Sequence, residues 1–275
     1  MTQVWINGQQ DATLDPMERA FAYGDGVFAT MAVDSHGQLR FAECYWQRLQ
    51  DGCARLGFAW QPSDSLLALV HDLAAKHPLH CLKLQLSRGV GGRGYAPPTS
   101  VQITEVVSVS PLPAHYRQWQ AQGISLATSA VKLARQPLLA GFKHCNRLEQ
   151  VLIKQHALPQ GYDDWLVLDT AQNVVESSMA NLVLLVEQQQ QLKALVPSHA
   201  YAGIAGVMRQ QLLLALLADG ISIEMRDITM ADLLQAKHFL LCNSLFGTVD
   251  VCRVDNHPFA RWQGTARLQQ LLVPH

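Results

Sequence analysis

Charge is scarce in this sequence. Asp, Glu, Lys and Arg make up 16% of its 275 residues, and the formal net charge is -1. With no basic or acidic excess, neither nucleic acid nor a charged tail is indicated, and any attraction for an anion must come from local arginines. The six cysteines, at 44, 53, 81, 145, 242 and 252, form no C-x-x-C pair. They read as reduced, mostly buried thiols of a cytoplasmic protein. Eleven histidines include no H-E-x-x-H or comparable spacing, so a metal site is unsupported. Met1–Trp5 has no basic region followed by an apolar run, so no signal peptide is expected. The apolar runs are too short for a membrane span, and there is no internal repeat. Gly89, Gly91 and Gly94 match G-x-G-x-x-G after a strand, but Tyr95-Ala96-Pro97-Pro98 cannot open the helix a dinucleotide site requires. No Gly-Lys-Ser/Thr loop is present for a nucleotide phosphate either.

What is present is hydrophobic: 49% of residues, enough for a sizeable core in two domains or one large one. Val4–Ile6 followed by Asn7-Gly8 reads as a strand and tight turn. Val27–Val33 is a strand after the Gly24-Asp25-Gly26 turn, and Cys81–Ser87 alternates as a strand with one wet face. Trp46, Leu49, Cys53 and Leu56 recur at helical spacing within Glu43–Leu56. A second helix is expected over Ser65–Lys76, and a strand over Val101–Ser110. Pro111-Leu112-Pro113 then marks a domain boundary with a linker near 113–121. Further strands are expected at Ile124–Thr128, Asp164–Asp169, Val174–Val186, Leu192–Val196, Phe239–Cys242 and Thr248–Cys252. The Gln188–Gln191 run between two of them is expected to be a hairpin turn. Helices are expected from Gly203 through Leu217, from Thr229 to Lys237, and after Arg261.

Several residues stand out against this background. Lys143 lies between a glycine-led entry, Gly141-Phe142, and an amphipathic segment in which Leu148, Val151 and Leu152 recur at helical spacing. Held there and partly dried, a lysine becomes a nucleophile; otherwise it is a solvated lysine at a helix start. Glu176 is a carboxylate between Val175 and an apolar strand, either exposed in a turn or buried with a partner. Arg48 is either solvated or turned inward to meet an anion. The Arg88–Gly94 loop is either a flexible turn or a clamp for carboxylates, carried by Arg88 and Arg93. At Gly203 a helix start would offer the N–H groups of Ile204 and Ala205 to an anion, unless the glycine serves close packing only. Asn243 and Ser244 emerge where a strand ends. One ligand would use all of these together: pyridoxal 5'-phosphate, with the lysine forming a Schiff base. The carboxylate keeps the ring nitrogen protonated, while the arginine and helix start hold the phosphate.

Seven segments appear in order: Tyr23–Phe28, Gln47-Arg48-Leu49, Ser87–Tyr95, Lys143–Gln150, Val175-Glu176 with Asn181, Gly203–Arg209 and Cys242-Asn243. Together they resemble the fold-type IV pyridoxal phosphate family of branched-chain and D-amino acid aminotransferases, over nearly the whole chain. Within that family, Lys-His-x-Asn-Arg-Leu-Glu-Gln and Arg-Gly-x-Gly-Gly-Arg-Gly-Tyr are most similar to the aminodeoxychorismate lyases. The resemblance implies an α+β fold with a small N-terminal α/β domain (residues 1–112) and a linker (113–121). A larger C-terminal domain (122–275) would carry the cofactor lysine and a central barrel-like sheet, and the whole would be a homodimer. It implies Lys143 as the Schiff-base lysine and general base, and Glu176 as partner of the ring nitrogen. By the same resemblance, Arg48 and the Ile204 and Ala205 amides are expected to form the phosphate cup, completed by Asn243 and Ser244. Arg93 and Tyr95 fall where D-amino acid aminotransferases carry an Arg-x-His carboxylate trap, with Tyr95 replacing the histidine. Phe28 stands where those enzymes have a tyrosine, and both departures argue against the D-amino acid activity. Thr30 is the candidate for proton delivery to the leaving group. The implied reaction is loss of pyruvate from 4-amino-4-deoxychorismate to give 4-aminobenzoate for folate synthesis. The competing expectation is an aminotransferase using the same Lys143 and Glu176.

Overall fold

A computed structural model describes residues 2–272. The chain forms two compact units. Among the described residues, the first takes the chain up to Pro113 together with Phe142–Asn146; the second takes Ala114–Gly141 and residues 147–272.

The first unit is built on an antiparallel sheet of β1 (Gln3–Ile6), β2 (Gln9–Gln10), β3 (Gly26–Ala32), β4 (His80–Ser87) and β5 (Thr104–Pro111). Their order is β2-β1-β5-β4-β3. Asn7 and Gly8 turn the first hairpin with φ of 49° and 79°, the positive values that a two-residue turn between right-twisted strands requires. The alternation in β4 divides its faces as expected. Leu82, Leu84 and Leu86 are fully buried, whereas Lys83 and Gln85 are half-buried on the other side. Helices α1 (Arg19–Tyr23), α2 (Ala42–Arg55) and α3 (Asp64–Lys76) complete the unit. On α2, Tyr45, Trp46, Leu49, Gly52 and Cys53 form the buried stripe that packs on β3. Each large side chain among them contributes roughly 1.5–3 kcal/mol by leaving water. The side chain of Ser63 caps α3 by accepting from Leu66 N–H at 3.2 Å.

The second unit begins with α4 (Tyr116–Gln122), which occupies most of the segment expected as a linker. Tyr116 and Trp119 bury their rings against Phe246, so aromatic burial makes a helix where the preceding prolines suggested a break. Its strands are β6 (Ile124–Thr128), β7 (Asp164–Leu168), β8 (Val174–Ser177), β9 (Asn181–Gln188), β10 (Gln191–Pro197), β11 (Ser222–Arg226), β12 (His238–Asn243), β13 (Gly247–Val254) and β14 (His257–Pro258). They run β11-β10-β9-β12-β13-β6-β7-β8, and β8 returns to β9 through the pair Glu176 and Asn181. That pairing closes a barrel-like core filled by residues such as Leu126, Leu166, Leu182, Leu184, Phe239 and Phe246. Gln189 and Gln190, with φ of 50° and 65°, form the expected turn between β9 and β10.

The helices of this unit are α5 (Leu148–Gln155), α6 (Val207–Ala218), α7 (Met230–Leu234) and α8 (Thr265–Leu272). Thr229 caps α7 in a reciprocal capping box with Asp232, as its sequence suggests, but the helix stops three residues before Lys237. The helix expected from Gly203 starts at Val207. Gly203 has φ of 80° and belongs to the loop before it. Among the described residues, no helix is long and apolar enough to cross a membrane.

Candidate active site

In the first unit, Lys143 lies in an extended stretch beside β3, five residues before α5 begins. Phe28 N–H donates to the Lys143 carbonyl at 3.0 Å, and Cys145 N–H donates to the Gly26 carbonyl at 2.8 Å. The lysine is thus held like a residue on an added strand, not at a helix start. Its Nζ stands 4.5 Å from the centre of the Phe28 ring, and Lys83 Nζ stands 4.8 Å from the same ring. Thr30 lies opposite Lys83 on that face of β3, so Phe28, Thr30, Lys83 and Lys143 form one half-buried, cationic surface. Lys83 was not singled out in the sequence; its place on the wet face of the alternating Cys81–Ser87 strand was the available signal. Asn146 donates to the Gly24 carbonyl at 3.1 Å, and a side chain at Gly24 would meet Asn146 Oδ1 at 2.3 Å.

Arg48 projects from α2 with its guanidinium 5.4 Å from the Tyr45 ring. Its Nε is closed to solvent and has no hydrogen-bond partner, and burial lowers the pKa of the group. A cation placed this way favours an anionic ligand. Arg93 and Tyr95 are exposed, Tyr95 at 86%, with the Tyr95 ring 5.5 Å from that of Tyr23.

In the second unit, Glu176 is buried at the barrel's closing pair, and its Oε2 accepts from Ile204 N–H at 3.0 Å. Across that pair, Asn181 donates to the Ile204 carbonyl at 2.6 Å and accepts from Gly206 N–H at 3.1 Å. Ala205 N–H donates to the Gly141 carbonyl at 2.9 Å. The Ile204 and Ala205 amides, read from the sequence as open donors, therefore have partners within this unit. A Cβ on Gly203 would stand 2.6 Å from both Val175 Cγ1 and His199 Cδ2, and 3.2 Å from Glu176 Oε2; one on Gly206 would stand 2.3 Å from Asn181 Oδ1. Both glycines serve close approach to the carboxylate and its neighbour. His199 was overlooked in the sequence. It is buried, neither ring nitrogen has a hydrogen-bond partner, and burial followed by the nearby Arg209 pushes its pKa down to about 3. Asn243 Oδ1 accepts from Leu245 and Phe246 N–H, both at 2.9 Å, shaping the turn after β12 in which Ser244 lies half-buried. No group of metal-ligating side chains occurs among the described residues.

Comparison with known proteins gives this arrangement a family. An aminodeoxychorismate lyase of Vibrio harveyi is 34% identical over 247 residues, covering 90% of this chain and 89% of that protein. The crystal structure of 4-amino-4-deoxychorismate lyase from Pseudomonas aeruginosa is 37% identical and covers 98% of this chain and 97% of its own, with a TM-score of 0.89. The fold also matches a hypothetical aminotransferase from Mycobacterium tuberculosis in its PLP-bound form, at 22% identity, TM-score 0.80, and 98% and 97% coverage. The family model for class IV amino-transferases matches residues 26–254, and the chain belongs to that family.

Proposed function

We propose that the chain is a pyridoxal phosphate-dependent 4-amino-4-deoxychorismate lyase, releasing pyruvate and 4-aminobenzoate. The observation carrying this reading is the 37% identity to the Pseudomonas aeruginosa lyase over 98% of the chain. The Listeria monocytogenes D-alanine aminotransferase is 24% identical over a similar span. Phe28 and Tyr95 depart from the aminotransferase pattern in the same direction.

The residues suit the cofactor. Arg48, with its buried unpartnered Nε, suits the phosphate, and Asn243 and Ser244 stand at a strand end that suits a share of it. Ile204 and Ala205 hold the loop before α6 through the same backbone bonds that engage their amides. Glu176, buried and on a backbone donor, suits a protonated ring nitrogen. Bound there, the cofactor supplies an electron sink. Lys143 would hold the cofactor covalently and, when free, would take the proton from the amine-bearing carbon of the substrate. The electron pair left behind lets the enolpyruvyl ether oxygen depart from the neighbouring carbon, and the ring becomes aromatic. Thr30, half-buried on the Phe28 face, delivers a proton towards the leaving group. The substrate carries two carboxylates, and Lys83 beside Phe28 gives that face matching charge. Arg93 and Tyr95 meet a carboxylate of the substrate.

We place the protein in the cytoplasm, a reading supported by six free cysteines, and read the chain as a small N-terminal and a larger C-terminal domain. A homodimer is supported by Leu148, Val151 and Leu152, which leave 69%, 52% and 41% of their surface exposed on α5. Light scattering that returned a monomer at micromolar concentration would overturn the dimer. The decisive assay supplies 4-amino-4-deoxychorismate and follows 4-aminobenzoate and pyruvate, in parallel with D-alanine plus 2-oxoglutarate. Keto-acid exchange without 4-aminobenzoate would sink the lyase.

A further inference from the structure

Arg19 is 3% exposed and sits 70 or more residues from the loop it touches. Its guanidinium donates to three consecutive carbonyls of that loop: Gly94 at 3.3 Å, Tyr95 at 2.9 Å and Ala96 at 3.3 Å. Its Nε donates to Asp25 Oδ2 at 2.7 Å. Asp25 is gripped from the other side by Arg88, at 2.8 and 3.2 Å, and Arg88 also donates to the Leu56 carbonyl. The loop is anchored at further points. Arg19 N–H donates to the Gly89 carbonyl at 3.0 Å, and Gly94 N–H donates to the Tyr23 hydroxyl at 3.3 Å. Gly91 has no side chain because a Cβ there would stand 2.6 Å from Arg19 Cδ.

We infer that Arg19 is a positioning residue for substrate recognition, holding the Arg93-Gly94-Tyr95 segment in the pose that presents Arg93 and Tyr95. Asp25 makes this more than a local tie. It lies between Gly24, which accepts from Asn146, and Gly26, which accepts from Cys145, so the turn that orients Arg19 also borders the Lys143 stretch. Arg19 touches no reacting atom on this account. It fixes main chain, and a planar guanidinium does so with donors spread over a rigid fork, which the single nitrogen of a lysine does not reproduce. The inference rests on the role proposed above for Arg93 and Tyr95.

The test uses the cofactor-loaded enzyme and the variants Arg19→Gln and Arg19→Lys, with three readouts. Backbone hydrogen exchange of the peptide spanning residues 92–97 should rise about tenfold or more in Arg19→Gln, because charge-assisted bonds to the loop are lost. KM for 4-amino-4-deoxychorismate should rise about tenfold while kcat stays within about threefold. Arg19→Lys should fall between the two on both measures. The visible band of the lysine-bound cofactor should be unchanged in both. Unchanged exchange in Arg19→Gln, or a fall in kcat at constant KM, overturns the inference. If Arg19→Gln does not fold, Tyr23→Phe, which removes the acceptor of Gly94 N–H, should raise exchange of the same peptide in the same direction, and no rise there overturns the inference too. A wild-type enzyme that makes no 4-aminobenzoate defeats the proposed function instead, and the exchange result then decides the positioning claim alone.

Discussion

Asp25 in the first unit and Glu176 in the second are both carboxylates largely withdrawn from water, and different contacts orient them. Asp25 is clamped between the guanidiniums of Arg19 and Arg88. Burial alone would raise its pKa, but the hydrogen bonds and charges of Arg88 and Arg19 outweigh this and hold it below the ordinary carboxylate value. Glu176 accepts from a neutral donor, the Ile204 amide, on a loop that Asn181 also grips. The difference separates two uses of a buried charge. Two cations make Asp25 a structural hub whose charge is matched inside the protein. For Glu176, a backbone N–H and the loop that Asn181 also grips fix where the carboxylate points, which suits a group whose direction matters for what it acts on.

The comparison sets an order of effects. The largest is expected at the residue on which both readings converge, Lys143. Lys143→Ala should lower 4-aminobenzoate formation by about ten-thousand-fold or more and abolish the borohydride-sensitive visible band, with little change in melting temperature. A variant retaining the band would disprove the lysine's role. Next comes Glu176→Gln, which keeps an oxygen for Ile204 N–H but removes the charge. Activity should fall about a hundred-fold or more while urea stability changes by less than about 1 kcal/mol. Near-normal activity would mean that the charge of Glu176 has no chemical task, and the contrast with Asp25 would collapse.

Asp25→Asn should behave the other way. Removing the anion leaves two buried guanidiniums facing a neutral amide, at a cost of about 3–5 kcal/mol in urea unfolding. The pH dependence has a definite sign. Because the folded pKa of Asp25 lies below its unfolded value of about 3.9, its contribution is complete above that pH and disappears as pH falls through the folded value. Wild-type stability should therefore decline on acidification below about pH 4, and part of that slope should be missing in Asp25→Asn. Equal slopes in both proteins would remove Asp25 from the account.

Much of this organisation was legible before the fold was known, because it depends on neighbours in sequence. The Asn7-Gly8 turn, the two faces of β4, the buried stripe of α2 and the Thr229 cap all follow from periods and turn chemistry over fewer than ten residues. Where the reading diverged, long-range contacts decided. Gly203 looked like a helix opener, yet its positive φ serves the close approach of Val175, His199 and Glu176, which delays α6 to Val207. Lys143 looked like a helix entry, yet its carbonyl accepts from Phe28 and its neighbour Cys145 donates to Gly26, both more than a hundred residues earlier. Arg19 carried no local signal at all, since each loop carbonyl that its guanidinium meets is at least 75 positions away.

The smallest of the expected effects examines how the second carboxylate is held. Asn181→Ala deprives the Ile204 carbonyl and the Gly206 N–H of their side-chain partner at once, which should lower stability by about 1–3 kcal/mol. Hydrogen exchange at Gly206 should rise with it. Since Asn181 and Glu176 grip the same residue, Ile204, combining Asn181→Ala with Glu176→Ala, which removes the acceptor of the Ile204 N–H, should give a non-additive loss, with a coupling of about 0.5 kcal/mol or more in a double-mutant cycle. Asp25→Asn, acting on the separate ionic hub, should add to Asn181→Ala within about 0.5 kcal/mol. Additivity in the first cycle would mean that the amide loop does not hold Glu176 as a unit, and coupling in the second would mean that the two carboxylates are not independently supported.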